Sequence, residues 1–275
     1  MIDKGRMTAY INPQSSQQFR DAAGYTLADG SPALDVVCIF AGNYAAAEQP
    51  YLRANNNNPA TTQPFNDNIQ QVLDDGSVKY LQSKGLAVLL TVTNGWQSVG
   101  WSEFTSEGDA MSFAQYLKTE VVEKYGLDGI DIDDEYSTGS PNNTSLIMVT
   151  TLMRQIMPDK IISKALWSDY GYFQATWNGN TLAGNLNYGA EMSYGGDPQS
   201  RLEPYTQVGL NKGQLSLGFT ADRPSSDPDQ DVQWLKANGY AGVMAYAFEE
   251  QANIDLMGRL VNDWYGPGNW NPPAE

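Results

Sequence analysis

Short apolar runs, separated by polar turns and by stretches of helical periodicity, recur about eight times along the chain. Several of the runs, such as VVCIF at 36–40 and AVLLTV at 87–92, are apolar almost throughout. Such runs are typical of parallel strands that are buried on both faces. The pattern predicts strands at Met7–Ile11, Val36–Phe40, Ala87–Val92, Gly129–Asp133, Lys160–Leu166, Tyr188–Tyr194, Gln214–Phe219 and Gly242–Phe248. It predicts helices at Asp75–Lys84, Asp109–Tyr125, Asn143–Met157, Gln199–Leu210, Pro228–Asn238 and Ala252–Trp264.

Eight strands with intervening helices in 275 residues give about 34 residues per unit, which suits a single (β/α)8 TIM barrel of the α/β class. The alternative is a doubly wound open sheet. The first predicted strand is followed by no G-x-G-x-x-G phosphate loop, and the sequence contains no Walker motif, so the pattern favours the barrel. We therefore expect one catalytic barrel domain over residues 1–275, some of its helices degenerate, with the active site at the carboxyl ends of the strands.

A polar segment without periodicity, NNNNPATTQPFN at Asn55–Asn66, follows the second predicted strand. One interpretation is a flexible excursion on the surface. The other is a wall of a substrate cleft, because long loops of compact domains are often functional.

The composition excludes several kinds of chemistry. The chain has 32 Asp and Glu against 16 Lys and Arg, no histidine and one cysteine. Histidine-dependent triads and zinc motifs are therefore excluded, as are an intrachain disulfide and any multi-cysteine metal site. A net charge of −16 makes nucleic acid an unfavourable partner, and no apolar run is long enough to span a membrane. Carboxylates remain as the abundant proton-transferring groups.

The densest chemical signal is a run of carboxylates, LDGIDIDDEY, at the end of the fourth predicted strand. Side chains alternate along a strand, so Asp131, Asp133 and Glu135 share one face while Ile130 and Ile132 share the other. The isoleucines are expected to pack under helices, and the carboxylates to point into the barrel and toward its mouth. Neighbouring like charges about 7 Å apart on a partly buried face should raise at least one pKa. A protonated acid beside an ionised one is what glycoside hydrolysis requires.

Two other interpretations of this run stay open at this point. Aspartates spaced by two often bind a divalent metal, although the run lacks the loop glycine of an EF-hand and lies on an apolar strand. The run could also be a solvated acidic edge, although the interleaved isoleucines indicate a buried strand.

The run fits D-x-x-D-x-D-x-E, the signature of glycoside hydrolase family 18, at Asp128, Asp131, Asp133 and Glu135. The form DGIDIDDEY resembles the endoglycosidase H-like branch of that family. This branch consists of endo-β-N-acetylglucosaminidases, which cut between the two core GlcNAc residues of N-linked glycans. The resemblance implies a retaining hydrolase in which the 2-acetamido group of the substrate is the nucleophile.

Two later strand ends extend the resemblance. Met192 and Tyr194 match the M-x-Y motif of the sixth family strand, but Gly195 stands where chitinases carry Asp. Tyr246 stands on the final strand where chitinases place a Trp under the substrate. These departures favour the endoglycosidase branch over a chitinase.

The resemblance implies a role for each catalytic candidate. Glu135 would protonate the leaving glycosidic oxygen and later act as the base on water. Asp133 would orient the acetamide N–H and stabilise the oxazolinium intermediate, while Asp131 would share a proton with it. Tyr194 would donate its hydroxyl to the acetamide carbonyl. This chemistry needs no metal and no other cofactor, and Asp128 and Asp134 are expected to be structural.

Residues for substrate binding are predicted from their places at strand ends, with core packing as the alternative for every aromatic residue. The candidates are Tyr246, Tyr44, Asn43, Trp96, Asn94 and Met192. Other aromatic residues near predicted loop ends are Trp101, Tyr136, Trp167, Tyr170 and Tyr172, whereas Trp234 and Trp264 are predicted to lie in the core.

The expected partner is an N-linked glycan or glycoprotein, with high-mannose and hybrid glycans favoured, and the expected oligomeric state is a monomer. The first residues, MIDKGRMTAY, contain no signal-peptide core. A secreted, periplasmic or cell-surface location is nevertheless expected, with a targeting segment absent from this sequence, because glycoprotein substrates lie outside a microbial cell. Alternative functions are a chitinase-type hydrolase and a non-catalytic glycan-binding family 18 barrel.

Overall fold

The computed structural model describes residues 5–45, 51–53, 65–93, 100–135 and 140–273, with only the backbone described at 44–45 and 51–53. Eight parallel strands lie side by side and form a barrel. These strands are β1 (Arg6–Ile11), β3 (Val36–Ala45), β5 (Ala87–Thr93), β6 (Gly129–Asp133), β7 (Ile161–Leu166), β8 (Tyr188–Glu191), β9 (Leu215–Phe219) and β10 (Gly242–Ala245).

The barrel closes because β1 pairs in parallel with both β10 and β3. An open sheet would leave its outermost strands with one neighbour each, so closure confirms the predicted (β/α)8 barrel over the doubly wound alternative. Short strands flank it: β4 (Tyr51–Arg53) is antiparallel to β3, and β2 (Thr26–Leu27) pairs with β11 (Trp270–Asn271).

Helices surround the barrel in the order α1 (Gln17–Gly24), α2 (Asp67–Asp74), α3 (Ser77–Ser83), α4 (Glu107–Tyr116), α5 (Ser145–Ile156), α6 (Leu182–Asn185), α7 (Pro198–Gln207), α8 (Pro228–Asn238) and α9 (Gln251–Tyr265). A π-helical segment, Leu117–Glu123, continues α4, and 3-10 turns occur at Tyr170–Phe173 and Lys212–Gln214. No helix within these described ranges is long and apolar enough to cross a bilayer.

Some element ends differ from the prediction for identifiable reasons. The strands predicted to reach Tyr194 and Phe248 end at Glu191 and Ala245, because Tyr194 and Ala247 adopt positive φ angles of 49° and 54°. The helix predicted from Asp75 begins at Ser77, after Gly76 with φ 91°. The helices α1 and α2 were not predicted, and α2 is capped by Asn66, whose Oδ1 accepts from the Ile69 amide at 2.9 Å. Residues 55–64 of the predicted polar segment lie outside the described residues.

Two apolar layers fix which way each strand residue points. The outer layer, between strands and helices, contains Ile130 and Ile132, as the alternation of β6 predicts. It also contains the fully buried Trp101, whose Nε1 donates to the Val92 carbonyl at 2.8 Å, and Trp264, so both are core residues. The inner layer fills the barrel axis with residues that include Tyr10, Cys38, Leu89, Tyr188 and Met244. Asp131 and Asp133, the inward residues of β6, therefore lie above this packed inner layer.

Candidate active site

Asp131 lies at the centre of the barrel and is held by the two neighbouring strands. Its side chain is fully buried. The register places Thr91 of β5 and Ser163 of β7 beside it, and Thr91 Oγ1 donates to Oδ2 at 3.0 Å while Ser163 Oγ donates to Oδ1 at 2.5 Å. Burial raises the pKa of Asp131 to about 6, and the hydroxyl groups around it oppose that rise. Both oxygens are thus fixed, and the group titrates near neutrality.

Asp133 is the next inward residue toward the mouth, and 3% of its surface is exposed. Burial raises its pKa to about 8, and the charges of Glu135 and Asp131 raise it further, while that of Lys164 lowers it. None of the described residues donates a hydrogen bond to Oδ1. Asp133 therefore holds a proton at neutral pH and has an oxygen available for a bound molecule. The rise in pKa that is expected for at least one acid on this face thus occurs at two, Asp131 and Asp133.

Glu135 follows the end of β6 and is half-buried. It borders a cavity of about 490 Å³ on the side of the barrel where β6 and β7 end. Asp134, Trp167 and Tyr172 line the same cavity, and Trp167 is the large apolar side chain with the greatest exposure in the described residues, at 46%. Glu135 thus lines this cavity, and it lies near enough to Tyr194 and Tyr246 for its charge to act on both.

Tyr194 reaches the axis from a tight turn after β8. Its left-handed backbone is followed by Gly195 and Gly196, with φ of 68° and 76°, a succession that glycine permits at little cost. Burial raises the pKa of the Tyr194 hydroxyl, and the charges of Asp133 and Glu135 raise it further. The hydroxyl is therefore a neutral donor that faces the carboxylates.

A buried ion pair anchors the turn that carries Tyr194, and sequence reasoning missed it. Arg201 of α7 contacts the carboxylate of Glu191, the last residue of β8. The other oxygen of Glu191 accepts from the Ser193 amide at 3.0 Å, and Arg201 Nη2 donates to the Gly218 carbonyl at 3.1 Å. Glu191 and Arg201 are both buried. This pair connects β8, β9 and α7 directly beneath the turn.

Tyr246, Met192 and Asn43 complete the surface around the axis. The ring of Tyr246 lies 6.2 Å from that of Tyr194 and 5.3 Å from that of Phe40, between centroids, and Met192 packs in the same cluster. Burial raises the pKa of Tyr246 to about 12. Asn43 Oδ1 accepts from Thr93 Oγ1 at 3.2 Å, whereas no described residue accepts from its buried Nδ2. The structure thus brings these three predicted residues together with Tyr194 and the carboxylates.

Other predicted binding residues cannot be placed in this arrangement. Asn94, Trp96 and Tyr136 lie outside the described residues, and Tyr44 is described only as backbone within β3.

The two remaining acids of the run differ in their surroundings. Asp128, at the opposite end of β6, accepts from the Val88 amide at 2.8 Å and from Gln82 Nε2 at 2.9 Å. These contacts agree with a structural role. Asp134 is buried, follows the inward Asp133 and borders the cavity beside Glu135. Sequence reasoning also missed Lys164, a fully buried cation on β7 that interacts electrostatically with Asp134 and Asp133.

A family model described as the TIM-barrel domain of the endo-β-N-acetylglucosaminidase EndoS matches residues 27–222, which include the carboxylate run and Tyr194. An endo-β-N-acetylglucosaminidase of Flavobacterium sp. (strain SK1022) is 31% identical over 270 residues, covering 94% of this chain and 80% of that protein. The endo-β-N-acetylglucosaminidase F1 of Elizabethkingia meningoseptica is 28% identical over 247 residues, covering 84% of this chain and 68% of that protein.

Solved structures show the same fold at lower identity. EndoBT-3987 of Bacteroides thetaiotamicron, crystallised with a Man5GlcNAc product, superimposes with a TM-score of 0.76 at 20% identity. That match covers 99% of this chain, and the chain spans 64% of that structure's length. A chitinase of Rhizomucor miehei superimposes with a TM-score of 0.65 at 15% identity, covering 94% of this chain and 99% of the other. The barrel fold is thus shared with EndoBT-3987 and with a chitinase.

Proposed function

Because this chain belongs to the endo-β-N-acetylglucosaminidases of the glycoside hydrolase family 18 type, we propose that it hydrolyses the GlcNAc-β-1,4-GlcNAc core bond of N-linked glycans. High-mannose and hybrid glycans are the favoured substrates. The observation that carries this proposal is the stack of carboxylates on β6, in which burial raises the pKa of Asp131 to about 6 and that of Asp133 to about 8, with Glu135 above them at the cavity. The preference for high-mannose glycans is supported by EndoBT-3987, which was crystallised with a Man5GlcNAc product.

The proposed reaction is substrate-assisted and proceeds with retention. The carbonyl oxygen of the 2-acetamido group of the −1 GlcNAc attacks C1, while the bond from C1 to the leaving oxygen breaks and Glu135 gives that oxygen its proton. An oxazolinium ion and the shortened glycoprotein result. Glu135, now ionised, removes a proton from a water molecule that attacks C1, and the acetamide is restored. Every proton and electron pair is supplied by substrate, water and Glu135.

Asp133 and Tyr194 act on the acetamide in this scheme. The Oδ1 atom of Asp133 that has no donor among the described residues accepts the acetamide N–H, and the neutral Tyr194 hydroxyl donates to its carbonyl. As positive charge develops on the oxazolinium ring, the pKa of Asp133 falls and its proton is shared with Asp131, so the two titrate as a coupled pair. The hydroxyl groups of Thr91 and Ser163 donate to Asp131 and keep the pair in position, so the site need not reorganise as charge develops.

The −1 sugar is proposed to lie over the axis between Tyr246 and Asn43. Tyr246 and Met192 offer an apolar surface to the ring, and Asn43 Nδ2 is a buried donor for a hydroxyl group. Tyr44, Asn94 and Trp96 remain further proposals for the same region.

The cavity beside Glu135 is proposed to hold the leaving group, the GlcNAc that stays on the protein. A general acid must lie within hydrogen-bond reach of the glycosidic oxygen that joins the attacked sugar to the leaving one. Glu135 lines this cavity, and its charge also acts on Tyr194 and Tyr246 at the axis. Trp167, exposed at its edge, presents a flat apolar face of the kind that stacks on sugars.

Replacing Trp167 with alanine is expected to raise KM for a high-mannose glycoprotein by about 5- to 10-fold, the loss of one aromatic stacking contact. The matched control is Trp167→Phe, which keeps a ring and should lose less. The same glycan supplied as a preformed oxazoline has no leaving group, so Trp167→Ala should hydrolyse it at the wild-type rate. Equal losses on both substrates would place Trp167 away from the leaving group.

The function is tested by incubating the protein with a high-mannose glycoprotein and, separately, with colloidal chitin. Mass spectrometry should show loss of the glycan with a single GlcNAc left on the glycoprotein, and little soluble product from chitin. Release from chitin alone would favour a chitinase. Tight binding to the glycoprotein without release would favour a non-catalytic glycan-binding barrel.

We also infer a monomer that is exported or displayed on the cell surface. Export is inferred because glycoprotein substrates lie outside the cell. Separately, the net charge of −16 disfavours association with nucleic acid. Analytical ultracentrifugation of the protein would detect a dimer if one forms.

A further inference from the structure

Lys164 is a cation buried behind the catalytic strand. It occupies an outward position on β7, between Ile162 and Leu166 of the outer layer, and its side chain is fully buried. Its Nζ lies 2.5 Å from Asp169 Oδ2 and donates to the Ala165 carbonyl at 2.8 Å. The other oxygen of Asp169 accepts from the Tyr205 hydroxyl at 2.7 Å. Lys164 is therefore held in one position on β7, the strand that also carries Ser163, whose hydroxyl donates to Asp131.

A lysine without solvent is costly, because its charge loses hydration and must be balanced by carboxylates. Asp169 supplies part of that balance, and a purely structural ion pair would need no more. Lys164 is paired across β7 and β6 with Ile132, the residue between Asp131 and Asp133, and the negative charges of Asp134 and Asp133 act on it. The charges that act on Asp133 most strongly are those of Glu135, Asp131, Lys164 and Asp134, and Lys164 is the cation among them.

The carboxylates in question are crowded on a short piece of chain. Asp131, Asp133, Asp134 and Glu135 fall within five consecutive residues, in a protein that has no histidine. Three of these side chains are buried, so their mutual repulsion is poorly screened by solvent. A fixed cation on the next strand offsets that repulsion without occupying the cleft.

We propose that Lys164 is a positioning residue for the reaction: Asp169 holds it behind the strand, and its charge sets the proton affinity of the Asp131–Asp133 pair. The proposal rests on the proposed function. Asp133 must be able to release its proton when the oxazolinium ion forms, and without the cation the crowded acids would hold that proton too strongly. Lys164 touches neither substrate nor the reacting atoms, so it acts through the carboxylates.

Titratable groups face this pair from several elements, and those that face Asp131 are Tyr10 from β1, Cys38 from β3 and Tyr188 from β8, which burial keeps neutral by raising their pKa values. Besides Asp131, Asp134 and Glu135 of its own segment, Asp133 is faced by Lys164 from β7, by Tyr194 after β8 and by Tyr246 after β10. Lys164 is faced by Asp169 and by Tyr172, whose hydroxyl contacts Ser102. Both Tyr194 and Tyr246 have raised pKa values and stay neutral below about pH 10, so only the acids and Lys164 change the balance near neutrality.

The test uses three variants whose expected shifts have different signs. Lys164→Met removes a positive charge and should move the pH profile of kcat/KM to higher pH by about 0.5 unit or more. Asp169→Asn removes the negative partner, leaves an acceptor for Tyr205 and should move the profile to lower pH. The double variant Lys164→Met/Asp169→Asn removes the pair together and should return the profile toward that of the wild type.

The matched control is Lys118→Met, which removes the same charge from a half-exposed ion pair with Glu123, where the N–O distance is 3.8 Å. Its profile should coincide with the wild type. If Lys164→Met fails to fold, as judged by circular dichroism, Asp169→Asn and the double variant still decide the question. Shifts in the same direction for both variants, or loss of activity without any shift, would overturn the proposal.

A substrate-free measurement separates this inference from the proposed function. Carboxyl ¹³C NMR titration of the wild type, with the Asp133 signal assigned from Asp133→Asn, should show the Asp133 midpoint rising in Lys164→Met and falling in Asp169→Asn. That result would stand even if the wild type released no glycan, in which case only the proposed function would fail. Unmoved midpoints in an enzyme that does release glycan would reject the role of Lys164 alone.

Discussion

Replacing Glu135 with glutamine is expected to lower kcat on a high-mannose glycoprotein by about 10³-fold, within the range for removal of a general acid–base group. Glutamine keeps the size and the hydrogen-bonding shape of the side chain beside the cavity but cannot transfer a proton to the leaving oxygen. Glycan binding should survive, because the axial surface formed by Tyr246 and Asn43 is untouched. Single-turnover kinetics and calorimetric binding of the intact glycan measure the two effects separately.

The dependence on leaving group sharpens this test. An aryl glycoside of the same glycan, whose leaving phenolate needs little protonation, should lose less in bond cleavage than the glycoprotein does. Near wild-type turnover of the glycoprotein by Glu135→Gln would show that another group is the acid. An equal loss on both substrates would assign Glu135 to positioning rather than to proton transfer.

Replacing Asp133 with asparagine should have opposite effects on activity and on stability. Activity should fall by about 10²- to 10³-fold, because asparagine cannot become negative as the oxazolinium ion forms. The free energy of unfolding of this variant should exceed that of the wild type by an amount that grows as pH rises from 5 to 8. The pKa of Asp133 is raised from its ordinary value of 3.8 to about 8, so the folded state binds this proton more tightly than the unfolded state does.

The sign of the pH dependence follows from linkage. Between pH 4 and pH 8 the unfolded chain releases the Asp133 proton while the folded chain retains it, so this group makes the free energy of unfolding fall as pH rises. Asp133→Asn lacks that loss and should gain about 2 to 4 kcal/mol over the wild type between pH 5 and pH 8. Urea unfolding at both values measures the gain.

An exposed acid provides the matched control. Asp159→Asn, at an exposed turn before β7, removes the same formal charge and should shift stability by no more than about 0.5 kcal/mol at either pH. If wild type and Asp133→Asn showed parallel pH dependence, Asp133 would not carry a raised pKa, and its assigned proton would have to lie elsewhere in the stack.

The barrel and its catalytic strand could be predicted because their signals are local. The strand at Gly129–Asp133 was predicted with its observed bounds, since a glycine and alternating apolar and acidic residues fix both its direction and its faces. The place of the acids in the active site could then be predicted from the rule that active sites of such barrels lie at the carboxyl ends of the strands. The predicted identity of the family came from the same eight residues.

The parts that could not be predicted depend on tertiary contacts between different elements or on backbone strain. Lys164 lies in a predicted strand, but no pattern in the sequence around it indicates that it is buried in an ion pair with Asp169 of the following loop. Arg201 and Glu191 meet through the packing of α7 against β8, ten residues apart in sequence. The positive φ angles at Tyr194 and Ala247 end two strands early, and hydrophobic pattern carries no signal for left-handed backbone at residues other than glycine.

The packed interior below Asp131 makes the supply of protons one-sided. Tyr10, Cys38 and Tyr188 fill the axis under that carboxylate and are buried, and burial raises the pKa of each of the three groups. They are therefore neutral and do not exchange protons readily with the base of the barrel. Any proton that the acid pair exchanges with solvent must therefore pass through the mouth, the route by which the glycan leaves and water enters. Departure of the glycan and proton exchange with bulk water thus share one passage, so a glycan that lingers in the cleft isolates the pair from solvent.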